Sequence, residues 1–125
     1  MSSLIQRNLN SPSWTKSNHV VCLGMALTPE KKVKNKVVGI LKEFGAYYFF
    51  PATYGYGRSG IPDIVACYQG QFIGIECKAG SNTTTALQDR ELALIEKAGG
   101  KALIINEDNT DLIEVWCKTV GGENK

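Results

Sequence analysis

Apolar residues recur along this chain with two periods, and the switch between them marks out its elements. Thr28-Pro29-Glu30 has the form of a helix start, with a hydroxyl at the N-cap, proline at the first helical position and an acid in the first turn. Val33, Val37, Ile40, Leu41 and Phe44 follow as one stripe at helical spacing, and Gly45 supplies the stop. Ala46-Tyr47-Tyr48-Phe49-Phe50 then reads as a buried strand. From Ile61 to Lys78 the period falls to two. Runs rich in Ile, Val, Phe and Tyr flank Gly70-Gln71, which predicts a β-hairpin with glycine first in a type II′ turn. The polar loop Ala79 to Thr84 leads into a second helix, expected from about Thr85 to Ala98, with Leu87, Leu94, Ile95 and Ala98 as its apolar positions and Gly99-Gly100 as its stop. Lys101 to Ile105 predicts a further strand, and Asn109-Thr110 caps a last helix through Leu112, Val115, Trp116 and Val120. This order predicts an α/β domain, a mixed sheet flanked by helices.

The hairpin register decides which side chains meet. With Gly70-Gln71 as the turn, Gln69 faces Phe72, Val65 faces Glu76 and Asp63 faces Lys78. Opposed residues share a sheet face, so Asp63, Glu76 and Lys78 project together while Ile64, Ala66, Ile73 and Ile75 point to the other side. Two carboxylates and an ammonium converge at one end of a hairpin.

Composition narrows the setting. At 125 residues, 43% hydrophobic and 21% charged, the chain has the size and make-up of one ordinary globular domain. Its apolar runs fall well short of the roughly 18 residues a membrane span needs, and no signal-peptide pattern is recognisable, so the cytoplasm is the expected compartment. Cys22, Cys67, Cys77 and Cys117 show no C-x-x-C spacing, with His19 as the one histidine, a pattern that fits reduced thiols rather than a zinc site. In the register above, Cys67 and Cys77 lie on opposite faces of the hairpin. Charge is uneven: residues 1–58 carry eight basic and two acidic side chains, net +6, and residues 59–125 carry six basic and ten acidic ones, net −4. A basic half beside an acidic pocket suits a polyanion held near a divalent metal, and equally an ordinary solvated surface.

Further residues gather around the hairpin. Glu30 shares the inward stripe of the first helix with Val33 and Val37; it suits either the positive helix end or a site beneath it. Lys31, Lys32, Lys34, Lys36 and Lys42 form a solvated face able to touch phosphates. The loop Pro51 to Gly60 carries Tyr54, Tyr56 and Arg58 among glycines, a composition for stacking and phosphate contact as well as for a plain flexible loop. Gln88 lies one turn before Leu92 and two before Ile95, and so leans inward. Residues 1–27 lack periodicity and read as a loose extension in which Val20 to Leu23 can add an edge strand; Met25, just before the helix signal, is an expected alternative start.

Oxygen ligands from Asp63 and Glu76 suit a hard cation such as Mg²⁺ or Mn²⁺. Such an ion polarises a phosphoryl oxygen and acidifies water, and a neighbouring Lys78 orients or deprotonates that water and neutralises charge on the phosphate. Ile61-Pro62-Asp63 followed by Glu76-Cys77-Lys78 resembles the PD-(D/E)XK nuclease signature. Together with Glu30 opening a helix, Gly60 before the Pro-Asp pair and Thr85-Ala86-Leu87-Gln88 opening the next helix, the pattern over residues 28–105 resembles the virus-type replication-repair nuclease, or VRR-NUC, domains.

The resemblance implies a restriction-endonuclease-like α/β fold. It also implies Asp63, Glu76 and the Cys77 backbone carbonyl as metal ligands, Lys78 as the catalytic lysine, Glu30 as a further acid near the metal and Gln88 as a site residue. Stand-alone members resemble Holliday junction resolvases and act as homodimers. The expected organisation is an extension over 1–27, a nuclease domain over 28–120 and a tail over 121–125. The expected function is a Mg²⁺- or Mn²⁺-dependent, structure-selective DNA endonuclease of phage type acting on branched DNA, with Arg58, Tyr54, Tyr56, Lys31 and Lys34 gripping the backbone. A non-cleaving nucleic-acid-binding module and a scaffold whose hairpin charges are surface pairs are the rival readings.

Overall fold

The computed structural model describes residues 27–52 and 57–122. The expected edge strand at Val20 to Leu23, the start at Met25 and the loop tyrosines Tyr54 and Tyr56 lie outside the described residues. Helix α1 spans Pro29–Phe44, strand β1 Tyr47–Phe49, β2 Ile64–Tyr68, β3 Gln71–Cys77, helix α2 Ala86–Lys97, strand β4 Lys101–Ile105 and helix α3 Asp111–Cys117; a single π-helical turn, Lys118–Gly122, follows. The four strands form one sheet in the order β1-β2-β3-β4, antiparallel across the first two pairs and parallel between β3 and β4, as the intervening α2 requires.

Local chemistry sets the helix ends. The Thr28 hydroxyl accepts the Lys31 N–H to start α1, and Gly45, at φ 80°, closes it in a left-handed cap. Thr85 and Gln88 form a reciprocal capping box at the start of α2. Val33, Val37 and Leu41 of α1 meet Ile64, Ala66, Ile73, Ile75, Cys77 and Ile105 from the sheet and Ile113, Trp116 and Cys117 from α3 in one core. Each fully buried isoleucine here contributes roughly 1.5–3 kcal/mol. Tyr68 edges onto Phe44 and tilts against Trp116, and Gly121, the first residue of the expected tail, is buried against the Tyr68 ring.

Helix α2 covers the opposite face of the sheet. Gly74 lets α2 pack closely there: a Cβ would stand 2.6 Å from Ile95 Cδ1 and 3.1 Å from Pro62 Cγ, so the Ile95 side chain would have to shift. The buried residues of α2 are Glu91 and Leu92, whereas Leu87 and Leu94, expected on its inward side, are 46% and 42% exposed. A second correction concerns β1. The aromatic run expected to be buried forms the edge strand, with Tyr47 70% exposed, since β1 pairs with β2 alone.

The hairpin turn also differs from its expected form. Tyr68 pairs with Gln71, so the turn is Gln69-Gly70 rather than Gly70-Gln71. Both residues have positive φ, 53° and 79°, as a type I′ turn demands, and Gln69 tolerates what is usually a glycine or asparagine position. The pairing slides by two residues, and a slide of two keeps every side chain on its face. Cys67 is exposed and Cys77 buried, both free thiols on opposite faces. Among the described residues no helix is long and apolar enough to cross a membrane.

Candidate active site

With the register running Ile64 opposite Ile75, the next opposed pair is Asp63 and Glu76 rather than Asp63 and Lys78. The β2–β3 ladder ends here for a chemical reason. Pro62, the residue next in line opposite Cys77, has no N–H, and the Asp63 side chain takes over the ladder's role: its Oδ2 accepts the Cys77 N–H at 2.9 Å. On the other side of β3 the Lys78 N–H donates to the Ile105 carbonyl at 2.9 Å, so Glu76-Cys77-Lys78 is held by a side-chain acceptor on one flank and a main-chain acceptor on the other. The Cys77 side chain enters the core, and burial pushes its thiol up to about 12, with the Asp63 charge adding to the effect.

Glu76 is 2% exposed. Its Oε2 accepts a hydrogen bond from Gln88 Nε2 at 2.8 Å and lies 3.7 Å from Lys78 Nζ. Its Oε1 is fully buried with no hydrogen-bond partner. Burial, then the negative charge of Asp63, pushes the Glu76 carboxyl up to about 7; Lys78 opposes the shift, and Glu30 adds to it. Two facing carboxylates with no donor between them require positive charge, either a shared proton or a cation. An orphaned buried carboxylate oxygen is costly unless something fills the place beside it.

The donor set therefore fits a hard, oxygen-preferring divalent cation. Among the described residues no three His, Cys, Asp or Glu side chains converge on one point, and Asp63 and Glu76 are the candidate side-chain donors. Glu30 is half-buried in a cleft of about 470 Å³, lined also by Thr28, Lys31, Lys34, Ala79 and Asn82, and it reaches Glu76 and Cys77 through its charge.

Two loops are fixed around this centre. Gly60 has φ 83°, and a Cβ there would stand 2.5 Å from the Leu87 carbonyl group and 2.8 Å from the Gln88 nitrogen. Only glycine allows the backbone at residue 60 to lie directly on the first turn of α2, where Gln88 originates. Beyond Lys78, both oxygens of Glu107 accept the Gly80 N–H, at 3.1 and 3.0 Å.

The expected phosphate contacts are placed as follows. Lys31 and Lys34 line the Glu30 cleft, and Lys34 Nζ also sits 4.8 Å from the centre of the Phe50 ring, a cation–π contact. Arg58 makes a two-pronged pair with Glu91 of α2, Nε to Oε2 and Nη2 to Oε1, both at 3.2 Å. Neither Glu91 nor this pair is apparent from local sequence, since 33 residues separate the partners. The available signal was position: Glu91 follows Gln88 by three and precedes Ile95 by four, on the stripe that faces the sheet.

No protein-family model matches the chain. Over 94 residues it is 32% identical to a protein of Acyrthosiphon pisum secondary endosymbiont phage 1 named "Putative nuclease p44", spanning 73% of this chain and 95% of that one. Its fold matches a solved structure described as a VRR_NUC domain with a TM-score of 0.59, at 18% identity, over 74% of this chain and 97% of the other.

Proposed function

The chain belongs to the VRR-NUC nuclease family, and from that premise we propose that it is a divalent-metal-dependent DNA endonuclease. Its reaction is hydrolysis of a phosphodiester bond, selective for branched, Holliday-junction-like DNA rather than for sequence. One observation carries the metal dependence: Glu76 keeps a buried, unpartnered Oε1 although its carboxyl already sits beside the negative charge of Asp63.

Asp63, Glu76 and the Cys77 carbonyl are the groups that would hold Mg²⁺ or Mn²⁺, which supplies Lewis acidity toward the phosphoryl group and toward water. Lys78 directs its ammonium at this centre from within 3.7 Å of Glu76, where it orients the attacking water and balances charge that develops on the phosphate. Gln88 fixes the rotamer of Glu76 through Oε2 and leaves Oε1 without a hydrogen-bond partner among the described residues, available to a cation. Glu30 adds a third negative charge at the margin. Lys31, Lys34 and Arg58, together with Tyr54 and Tyr56, contact the DNA backbone, and backbone contacts position a duplex without reading bases.

Residues 28–120 form the catalytic unit, with 1–27 as an extension and 121–125 as a tail. Two nicks at a junction need two such sites, so the acting species is a homodimer. A related phage protein supports a phage or prophage setting and action in the bacterial cytoplasm. The test is a panel of four-way-junction, flap, single-stranded and linear duplex DNA, each with and without Mg²⁺ or Mn²⁺, for the wild type, Asp63→Ala and Lys78→Ala. Metal-dependent cuts in the junction by the wild type alone support the proposal. Absence of metal-dependent cleavage on every substrate overturns it.

A further inference from the structure

Glu91 is a buried carboxylate, 7% exposed, and it holds two arginines rather than one. Besides the two-pronged bond from Arg58, its Oε2 lies 3.4 Å from Nη2 of Arg90, the preceding residue of α2. The arginine side chains remain 61% and 54% exposed while the carboxylate between them is hidden. One buried anion beneath two outward cations leaves a net charge of +1 and two guanidinium-bearing side chains more than half exposed. A single exposed ion pair would explain a loop tether. It does not explain a second arginine drawn to the same oxygen.

The location ties this trio to the site. Arg90 and Glu91 follow Gln88 by two and three residues on α2, about 3 to 4.5 Å along the helix axis. Gln88 touches Glu76, and Arg58 lies two residues before Gly60, which packs on Leu87 and Gln88. The carboxylate that gathers both guanidinium groups therefore stands one helical turn beyond Gln88, the side chain that touches Glu76.

We infer that Glu91 preorganises Arg58 and Arg90 as a clamp for a DNA backbone phosphate flanking the one that is cut; this rests on the nuclease reading above. Guanidinium groups recognise phosphate through paired N–H donors, and a carboxylate beneath them fixes their planes before DNA arrives. Arg90 and Glu91 thereby become binding and positioning residues, and Arg58 acquires a structural reason for its orientation.

The test measures binding of a four-way junction and of a linear duplex in EDTA across a salt series, beside metal-dependent cleavage by the same proteins. The clamp requires Arg90→Ala to weaken binding several-fold and to reduce the slope of log K against log salt by about one. It requires Glu91→Gln, which keeps shape and removes a negative charge, to weaken binding as well; a purely electrostatic role for Glu91 gives tighter binding. Arg90→Lys should keep the slope and lose part of the affinity. Tighter binding by Glu91→Gln in a protein with a wild-type melting temperature overturns the inference, as does an unchanged salt slope for Arg90→Ala. If Glu91→Gln melts early, the Arg90→Ala slope decides. A wild type that neither binds nor cuts DNA brings down the nuclease reading itself, whereas a wild type that cuts, beside an indifferent Arg90→Ala, brings down the clamp alone.

Discussion

Gln88 Nε2 donates to Glu76 Oε2 at 2.8 Å because the other end of the same amide is already committed: Gln88 Oε1 accepts the Thr85 N–H at 2.9 Å. The cap of α2 thus orients a side chain of the site, and a local helix-start signal becomes part of the chemistry. Gln88→Glu separates the two roles, since a glutamate preserves the capping box but turns a carboxylate toward Glu76. Cleavage should fall about 10- to 100-fold, the usual cost of losing a partner that orients a metal ligand, with the melting temperature in metal held near wild type. Gln88→Ala should lose both, with a further destabilisation of about 1 kcal/mol from the cap. Parallel cleavage assays and thermal melts check the split; equal melting losses for the two variants would refute it.

Glu76 also sets a pH dependence. Its carboxyl is raised from the ordinary 4.5 to about 7 in the folded protein, first by burial and then by Asp63. A folded state that binds this proton more tightly than the unfolded chain is stabilised below the unfolded value and loses that stability as pH rises through about 7. Metal-free protein should therefore melt at falling temperatures between about pH 4.5 and 7, and Glu76→Gln should remove most of the slope. Added Mn²⁺ should restore stability at pH 8 in the wild type and not in Glu76→Gln. Melting curves across pH, with EDTA or Mn²⁺, make the comparison.

Gly60 and Gly57 have nearly the same positive φ, 83° and 81°, in different surroundings. A Cβ on Gly60 meets the backbone of Leu87 and Gln88, whereas one on Gly57 meets nothing within 4 Å. Gly57→Ala should cost about 1–2 kcal/mol, the strain of a left-handed residue, and leave the rate unchanged. Gly60→Ala should cost more, because it also pushes the first turn of α2 off the loop and draws Gln88 from Glu76. Denaturant melts and initial rates on the same DNA read both effects.

Much of this was legible in the chain, for identifiable reasons. The faces of the hairpin follow from a period of two, so Asp63, Glu76 and Lys78 share a side even though the turn lies one residue earlier than the glycine signal predicts; the two-residue slide preserves that result and changes which pair is opposed. The stripe of α1 and both of its caps are local signals and appear as read. The strand at Tyr47 to Phe49 forms where the sequence predicts it but at the sheet edge rather than buried, because an apolar run does not reveal whether a strand has one neighbour or two. Glu91 was missed because a buried charge looks like a surface charge until its partner, 33 residues away, is known. Long-range pairing is what short-range periodicity does not encode.

The central claim is that Asp63 and Glu76 form a metal-dependent cutting centre, and Glu76→Gln tests it most directly, as it removes one charge without changing size. Single-turnover cleavage of the preferred DNA of the panel should be measured at increasing Mn²⁺, with binding followed on the same substrate. The account predicts a cleavage rate reduced by at least about 10²- to 10³-fold at every Mn²⁺ concentration, with DNA affinity in EDTA retained. Wild-type cleavage rates in Glu76→Gln would contradict it and move the active centre elsewhere in the chain.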